Sequence, residues 1–374
     1  MKRYLLLILL TATNFFIVSP TTASHANVGS TTVLKDVFHR EVNGKFTDDQ
    51  LGANISVTGS LYQQVMKAPK KTQWIIDPQL IEEIVDMSDG YKVLPDKEGA
   101  FGEAATDFLT LLRNKIGENQ VFALPYGSPN ISVRKKLSDI ELSQIQNISS
   151  LRLGRALNLP VSAGLPDGYP GIEKSVTTTA QKSFAILHKT LNKISAITSD
   201  PEVAEVALRS NALLNPELSK KKVQYLAILL NGTVDRLEKK VKVLPGKFTL
   251  TSSNEKIPVT IVNQFSAPAE VVLILHAENS RIVIDTAKQI TIDEKSRKQV
   301  LITAKAVANG KVRVETRLET LKGARYGETS YLQFTISMIG PVITWVMAIA
   351  GILLFSASGL QIYRRARRRE TTKG

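Results

Sequence analysis

The stretch GKFTLTSSNEKIPVTIVN, residues 246–263, opens just after Pro245 and changes the texture of the chain, because its apolar residues now recur at a period of two. That period places successive side chains on opposite faces of a strand, one face for a core and one for water. The pattern continues C-terminally through FTLTSS, IPVTIVN, EVVLILHA, RIVID, KQITI, QVLITAKA, KVRVETRL and SYLQFTIS, short runs parted by Asn, Gly, Ser and Pro. About seven or eight strands at this spacing predict an immunoglobulin-like β-sandwich over residues 246–338.

Beyond the sandwich the chain reads GPVITWVMAIAGILLFSASGLQIYRRARRRETTKG, with no charged residue between Glu328 and Arg364. As a helix, residues 341–363 would measure about 34 Å, enough to cross a ~30 Å hydrocarbon layer. Trp345 and Tyr363 are aromatic anchor candidates, and Arg364, Arg365, Arg367, Arg368 and Arg369 mark the tail 364–374 as cytoplasmic. The other terminus, MKRYLLLILLTATNFFIVSPTTASHAN, has the charge, apolar core and small residues of a signal peptide over 1–26, with cleavage after Ala23 or Ala26. Both ends predict a single-pass plasma-membrane protein with its N-terminus outside and its C-terminus in the cytoplasm.

Upstream of the sandwich, residues 171–245 read as a helical segment. Ser199-Asp200-Pro201-Glu202 is a capping box, and Asn215-Pro216-Glu217 is expected to start a long helix striped by Val223, Leu226, Leu230, Val234, Leu237 and Val241. Residues 61–170 alternate helix and strand. KTQWIID and VFALPY are apolar strands without inside/outside alternation, flanked by the helical patterns PQLIEEIVDM, EAATDFLTLLRNKI and SDIELSQIQNISSLRLGRAL. Such strands belong in a small or partial parallel α/β sheet covered on both faces. Residues 27–60, rich in Thr, Asn, Gly and Asp, are expected to form a loosely ordered lead-in. The fold class is therefore α+β multidomain.

Composition removes several chemistries. The chain has no cysteine, which excludes disulfides, thiolate metal sites and cysteine nucleophiles. Its four histidines, His25, His39, His188 and His276, share no ligand spacing, so no metal is expected. No G-x-S-x-G elbow, P-loop or G-x-G-x-x-G follows a strand, so no cofactor or nucleotide is expected either. Roughly half of the net charge of +14 lies in the two termini as topology signal, and the rest is spread over the ectodomain, which argues against a nucleic-acid partner. The sequons at Asn54, Asn130, Asn147 and Asn231 read as chance.

Two strand ends remain as candidates. WIIDP places Asp77 at the mouth of a parallel sheet, where ligands bind in open α/β folds. The same Asp-Pro step is also a common helix cap. VFALPYGSPNIS, residues 121–132, offers Tyr126, Ser128 and Asn130 as hydrogen-bonding ligand residues but no acid; Asp167 in LPDGYPG is a loop acid that suits a turn. A glycosidase needs two carboxyl groups roughly 5–10 Å apart.

The pieces QWIIDPQL (73–80), FALPYGSPN (122–130), GKFTLTSSNEKIPVTIVN (246–263) and AVANGKVRV (306–314), with the span and arginine tail, resemble an uncharacterised actinobacterial family of secreted, single-span envelope proteins, domain of unknown function 6049. The resemblance implies that the α/β part is a fragment of a β/α barrel related to carbohydrate-active enzymes. Where relatives tend to read LPYGDPD, this chain has Ser128 and Asn130, so both acids of the loop are missing. The expected function is a non-enzymatic binding or scaffold role toward cell-wall glycan or another envelope protein. The alternatives are a glycan-acting hydrolase using Asp77 and an assembly factor acting through the sandwich.

Overall fold

A computed structural model describes residues 30–137, 142–169, 171–285, 287–338 and 341–370. The expected signal peptide, 1–26, lies outside the described residues, as do the last four residues of the tail. The first half of the chain runs β1 (Ser30–Leu34), α1 (Gln50–Ile55), α2 (Ser60–Lys67), β2 (Thr72–Ile76), α3 (Pro78–Ser88), a small hairpin of β3 (Lys92–Val93) and β4 (Lys97–Glu98), α4 (Gly102–Ile116), β5 (Val121–Ala123), α5 (Ile131–Leu137) and α6 (Leu142–Leu157).

Three of these strands form one parallel sheet in the order β1-β2-β5. The expectation of a loose lead-in over 27–60 is thereby corrected: STTVL is the first strand of that sheet. Its run of Thr and Val suits a pleated surface, and the hydroxyls of Thr32 and Thr72 lie 3.0 Å apart across the pair. Trp74, Ile75 and Ile76 on β2 are fully buried, as a strand covered on both faces requires. Helix α3 packs Leu80, Ile81, Ile84 and Met87 and α4 packs Phe108, Leu112 and Ile116 into the same core. Among the described residues the sheet has three strands.

The second half begins with α7 (Thr178–Ser195), α8 (Pro201–Arg209), a 3-10 turn (Ser210–Leu214) and α9 (Lys220–Glu238). Asp200 caps α8 by accepting the Glu202 amide at 2.9 Å. The long helix does not start at Pro216: Asn215 accepts the Glu217 amide in a separate turn, and Ser219 is the cap of α9. Nor is the stretch to 243 wholly helical, because Val241–Val243 is a strand, β6. Lys242 and Val243 pair with Val262 and Ile261, so the sheet overrides the helical stripe there.

The sandwich continues through β7 (Gly246–Leu250), β8 (Asn254–Asn263), β9 (Ala269–Ala277), β10 (Ile282–Ile284), β11 (Ala287–Ile292), β12 (Arg297–Ala306), β13 (Gly310–Glu319) and β14 (Arg325–Ile336). One sheet has the order β10-β12-β8-β6 and the other β11-β9-β13-β14-β7. Along β12, Val300, Ile302, Ala304 and Ala306 are buried between exposed neighbours, the alternation of a strand with one face in a core. Buried Asn263 holds one end together: its side-chain amide donates to the carbonyls of Ala267, Ile292 and Asp293 and its oxygen accepts the Phe265 amide. The helices α7 to α9 share one apolar core with both sheets, from Phe184 and Leu230 to Ile261 and Leu273. Asp200 also accepts the Ser266 amide and hydroxyl at 2.6 and 2.7 Å, which seats the helices on the end formed by the β8–β9 turn. Last comes α10 (Pro341–Glu370), in which Trp345–Arg364 is long and apolar enough to cross a membrane.

Candidate functional site

The C-terminal ends of β2 and β5 meet at Asp77 and the loop that starts at Leu124. Asp77 is fully buried and caps α3 ahead of Pro78, with one carboxylate oxygen accepting the amides of Gln79 at 2.9 Å and Gly127 at 3.1 Å. Its other oxygen accepts the Ser128 hydroxyl at 2.6 Å. The Asp-Pro step is therefore used as a cap, and the cap also fastens the opposite loop. Burial pushes the Asp77 carboxyl up to about 7, against the three donors that favour its ionised form.

The loop is shaped for this contact. Gly127 and Ser128 have φ of +78° and +50°, a left-handed pair that turns both donors toward Asp77. A Cβ on Gly127 would stand 2.8 Å from the amide nitrogen of Ala212, because the 3-10 turn after α8 lies directly on the loop. Asn130 is buried as well: it donates to the Lys174 carbonyl, accepts the Val133 amide, and its own amide donates to the Leu214 carbonyl at 2.8 Å. Tyr126, wholly buried, donates to Glu82 at 3.0 Å and lies under the Arg152 guanidinium, 4.9 Å from the ring centre. Asp167 sits exposed on the turn Pro166–Tyr169 and makes no contact with Asp77. The structure thus brings Asp77 and Ser128 together and engages Tyr126 and Asn130 with other partners.

Residues from far along the chain close the crevice. Arg152 on α6 binds Glu82 on α3 at 2.5 and 2.9 Å and Glu205 on α8 at 2.5 Å, and Arg209 binds Glu205 at 2.6 Å. Burial acts to raise the Glu205 carboxyl, but the hydrogen bonds from Arg152 and Arg209 outweigh it and hold the group below its ordinary value. The cavity left between Phe38, Arg40, Gln79, Tyr126, Arg209 and Ala212 measures about 20 Å³, room for roughly one water. Outside it, Arg40, Glu82, Asp86, Arg152, Arg155 and Arg209 line an open groove of about 400 Å³. A larger groove of about 900 Å³ runs past Lys70, Lys71 and Gln120 at the opposite, N-terminal ends of the strands, away from Asp77.

Two buried groups sit behind the cap. Glu83 accepts the Gln79 side chain at 2.8 Å and the His39 amide at 2.9 Å, and burial holds its carboxyl above the ordinary range. His39, 1 % exposed, stands between Asp48 at 3.0 Å and Asp36 at 3.6 Å; burial lowers its affinity for a proton, but these carboxylates outweigh burial and bring it to about 9. Among the described residues no three His, Asp or Glu side chains are grouped to hold a metal ion. The network of Glu82, Glu83, Arg152, Glu205 and Arg209 is not legible in the sequence. Its partners lie 44 to 70 positions apart, except for the pairs Gln79–Glu83 and Glu205–Arg209, each one helical turn.

Over residues 172–372, more than half of the chain, the sequence matches the profile of a family of unknown function, DUF6049. The chain belongs to the DUF6049 family. The DUF6049 match takes in α7 to α9, the sandwich and α10, and the strand ends at Asp77 and Ser128 lie N-terminal to it. No curated protein matches the chain. Among solved structures, WR4, an MSP family member of C. elegans, is similar at 7 % identity over 26 % of this chain and 98 % of its own, with a TM-score of 0.21. PapD-like domain 7 of human CEP192 is similar at 10 % identity over 27 % and 87 %, TM-score 0.20. The CARDB domain of PF1109 from Pyrococcus furiosus gives 8 % identity over 27 % and 90 %, TM-score 0.21. At such scores the sandwich assignment for this DUF6049 member rests on the pairing of its own two sheets.

Proposed function

We propose that this DUF6049 member is a secreted, single-span envelope protein of the plasma membrane, with its N-terminus outside and its C-terminus in the cytoplasm. Its role is non-enzymatic, as a scaffold or binding protein for cell-wall glycan or another envelope protein. The observation that carries the reading is the burial of the candidate acid: Asp77 is fully buried and its two oxygens are taken up by three donors. A glycan ring cannot approach a carboxylate so placed. The nearest other buried acid, Glu83, is taken up by Gln79 and His39 and does not face Asp77 across a cleft. In this reading the three-stranded sheet is what remains of a β/α barrel, filled by the turn at Ser210–Leu214 instead of by further strands. The apolar stretch of α10 and the arginines after it support the span and its orientation.

The test is co-sedimentation of the full chain, in detergent micelles, with purified cell-wall glycan, together with cross-linking in intact envelopes. Glycan binding or a specific cross-linked envelope protein, without release of reducing ends, is the expected result. Release of reducing ends that Asp77→Asn abolishes would overturn the reading in favour of a hydrolase.

A further inference from the structure

The end of the sandwich next to α10 carries a group of exposed cations. β14 runs toward α10, so the antiparallel pairing puts the β12–β13 turn, the β9–β10 turn and the start of β8 at that same end. Lys256, Arg281, Lys305 and Lys311 are exposed there and have no carboxylate partner among the described residues. The three acids nearby are engaged: Glu278 pairs with Arg313 at 2.7 Å, Glu255 accepts the amides of Thr251 and Ser252, and Asp285 accepts the Thr303 amide at 3.3 Å. Between the cations the tip of the β12–β13 turn presents Val307, 56 % exposed.

Geometry ties this end to the bilayer. Asn309 in the turn accepts the Met338 amide at 2.8 Å and donates to its carbonyl, so the turn is held at the point where the chain leaves the sandwich. From Met338 to Pro341 the backbone reaches at most about 11 Å. The candidate span begins at Trp345, one helical turn or about 6 Å further on, which is close to the thickness of one headgroup layer. This short linker tethers the end of the sandwich to the start of α10, and the lysine and arginine side chains extend from that end.

We propose that this end of the sandwich is a docking surface for anionic lipid headgroups, with Lys256, Arg281, Lys305 and Lys311 contacting the headgroup charge and Val307 dipping between them. The proposal rests on the reading of α10 as a membrane span. Paired charges would be indifferent to lipid composition, whereas unpaired lysine and arginine beside an apolar tip bind anionic surfaces through both terms.

The chain has no native cysteine, so single-cysteine variants can be labelled cleanly with an environment-sensitive fluorophore. Val307→Cys is compared with Leu321→Cys, an apolar tip of similar exposure (50 %) at the far end of β13, and with Leu354→Cys inside the span. The full chain is reconstituted into phosphatidylcholine vesicles with or without phosphatidylglycerol and with spin-labelled lipids as quenchers. In the anionic vesicles the Val307 label should be quenched roughly twofold or more above the Leu321 label, and less in neutral vesicles or when the four cations are replaced by Gln. Equal quenching at Val307 and Leu321 while the Leu354 label is quenched by deep spin labels overturns the proposal alone. Quenching at Val307 that ignores both lipid charge and the Gln substitutions overturns it too. If Leu354 is not reached by deep spin labels, the span reading fails and the proposal falls with it.

Discussion

Replacing Asp77 by Asn and by Ala separates a cap from an ionisable acid. Asn keeps a carbonyl oxygen for the Gln79 and Gly127 amides and offers an N–H to the Ser128 hydroxyl, which can rotate to accept it. Ala leaves all three donors buried without an acceptor. Loss of a cap costs about 1 kcal/mol and each of the two further unsatisfied buried donors about 1–3 kcal/mol, so Asp77→Ala should lose roughly 3–7 kcal/mol. The pH dependence points the other way for Asn. Burial raises the folded carboxyl from 3.8 to about 7, so the folded state holds this proton more tightly than the unfolded chain. The resulting stabilisation is fully present below pH 3.8 and is lost as pH rises through about 7, a change of roughly 4 kcal/mol. Asp77→Asn removes that slope, leaving the fall in the same direction that Glu83 contributes. The assay is urea unfolding followed by Trp74, buried on β2, in a Trp345→Phe background that leaves it the sole tryptophan. If Asn and Ala lose equal stability at pH 5, or if Asn retains the full decline between pH 4 and 7, the reasoning about this buried carboxyl is wrong.

Gly127→Ala should cost about 2–5 kcal/mol, from left-handed strain and from the contact with the Ala212 backbone. Hydrogen exchange should then rise at Ser210–Leu214, and unchanged protection there would mean the turn does not rest on the loop. His39 is brought from 6.5 to about 9 by Asp36 and Asp48 against burial, so its stabilisation is complete below pH 6.5 and lost as pH rises through about 9, roughly 3 kcal/mol. His39→Gln should flatten unfolding free energy across that window, and NMR titration of the imidazole reads the same group directly.

Much of the architecture depends on neighbours a few residues apart, and that part was legible in the sequence. The period-two runs after Pro245 became β7 to β14, since one buried face needs only the alternation of a strand. The apolar length of α10 and the caps at Asp77 and Asp200 are equally local: a cap is set by its own side chain and the amide two positions on. What tertiary structure decided is the state of the site. A Thr-rich segment became β1 only because β2, some 40 residues away, supplied a partner edge. The crevice at Asp77 and Ser128 reads as an opening in sequence, because strand ends in α/β sheets usually are. It is closed by Ala212, Leu214, Glu205 and Arg209, residues that reach it only through the packing of α8 and the 3-10 turn. No pattern within either segment encodes that meeting.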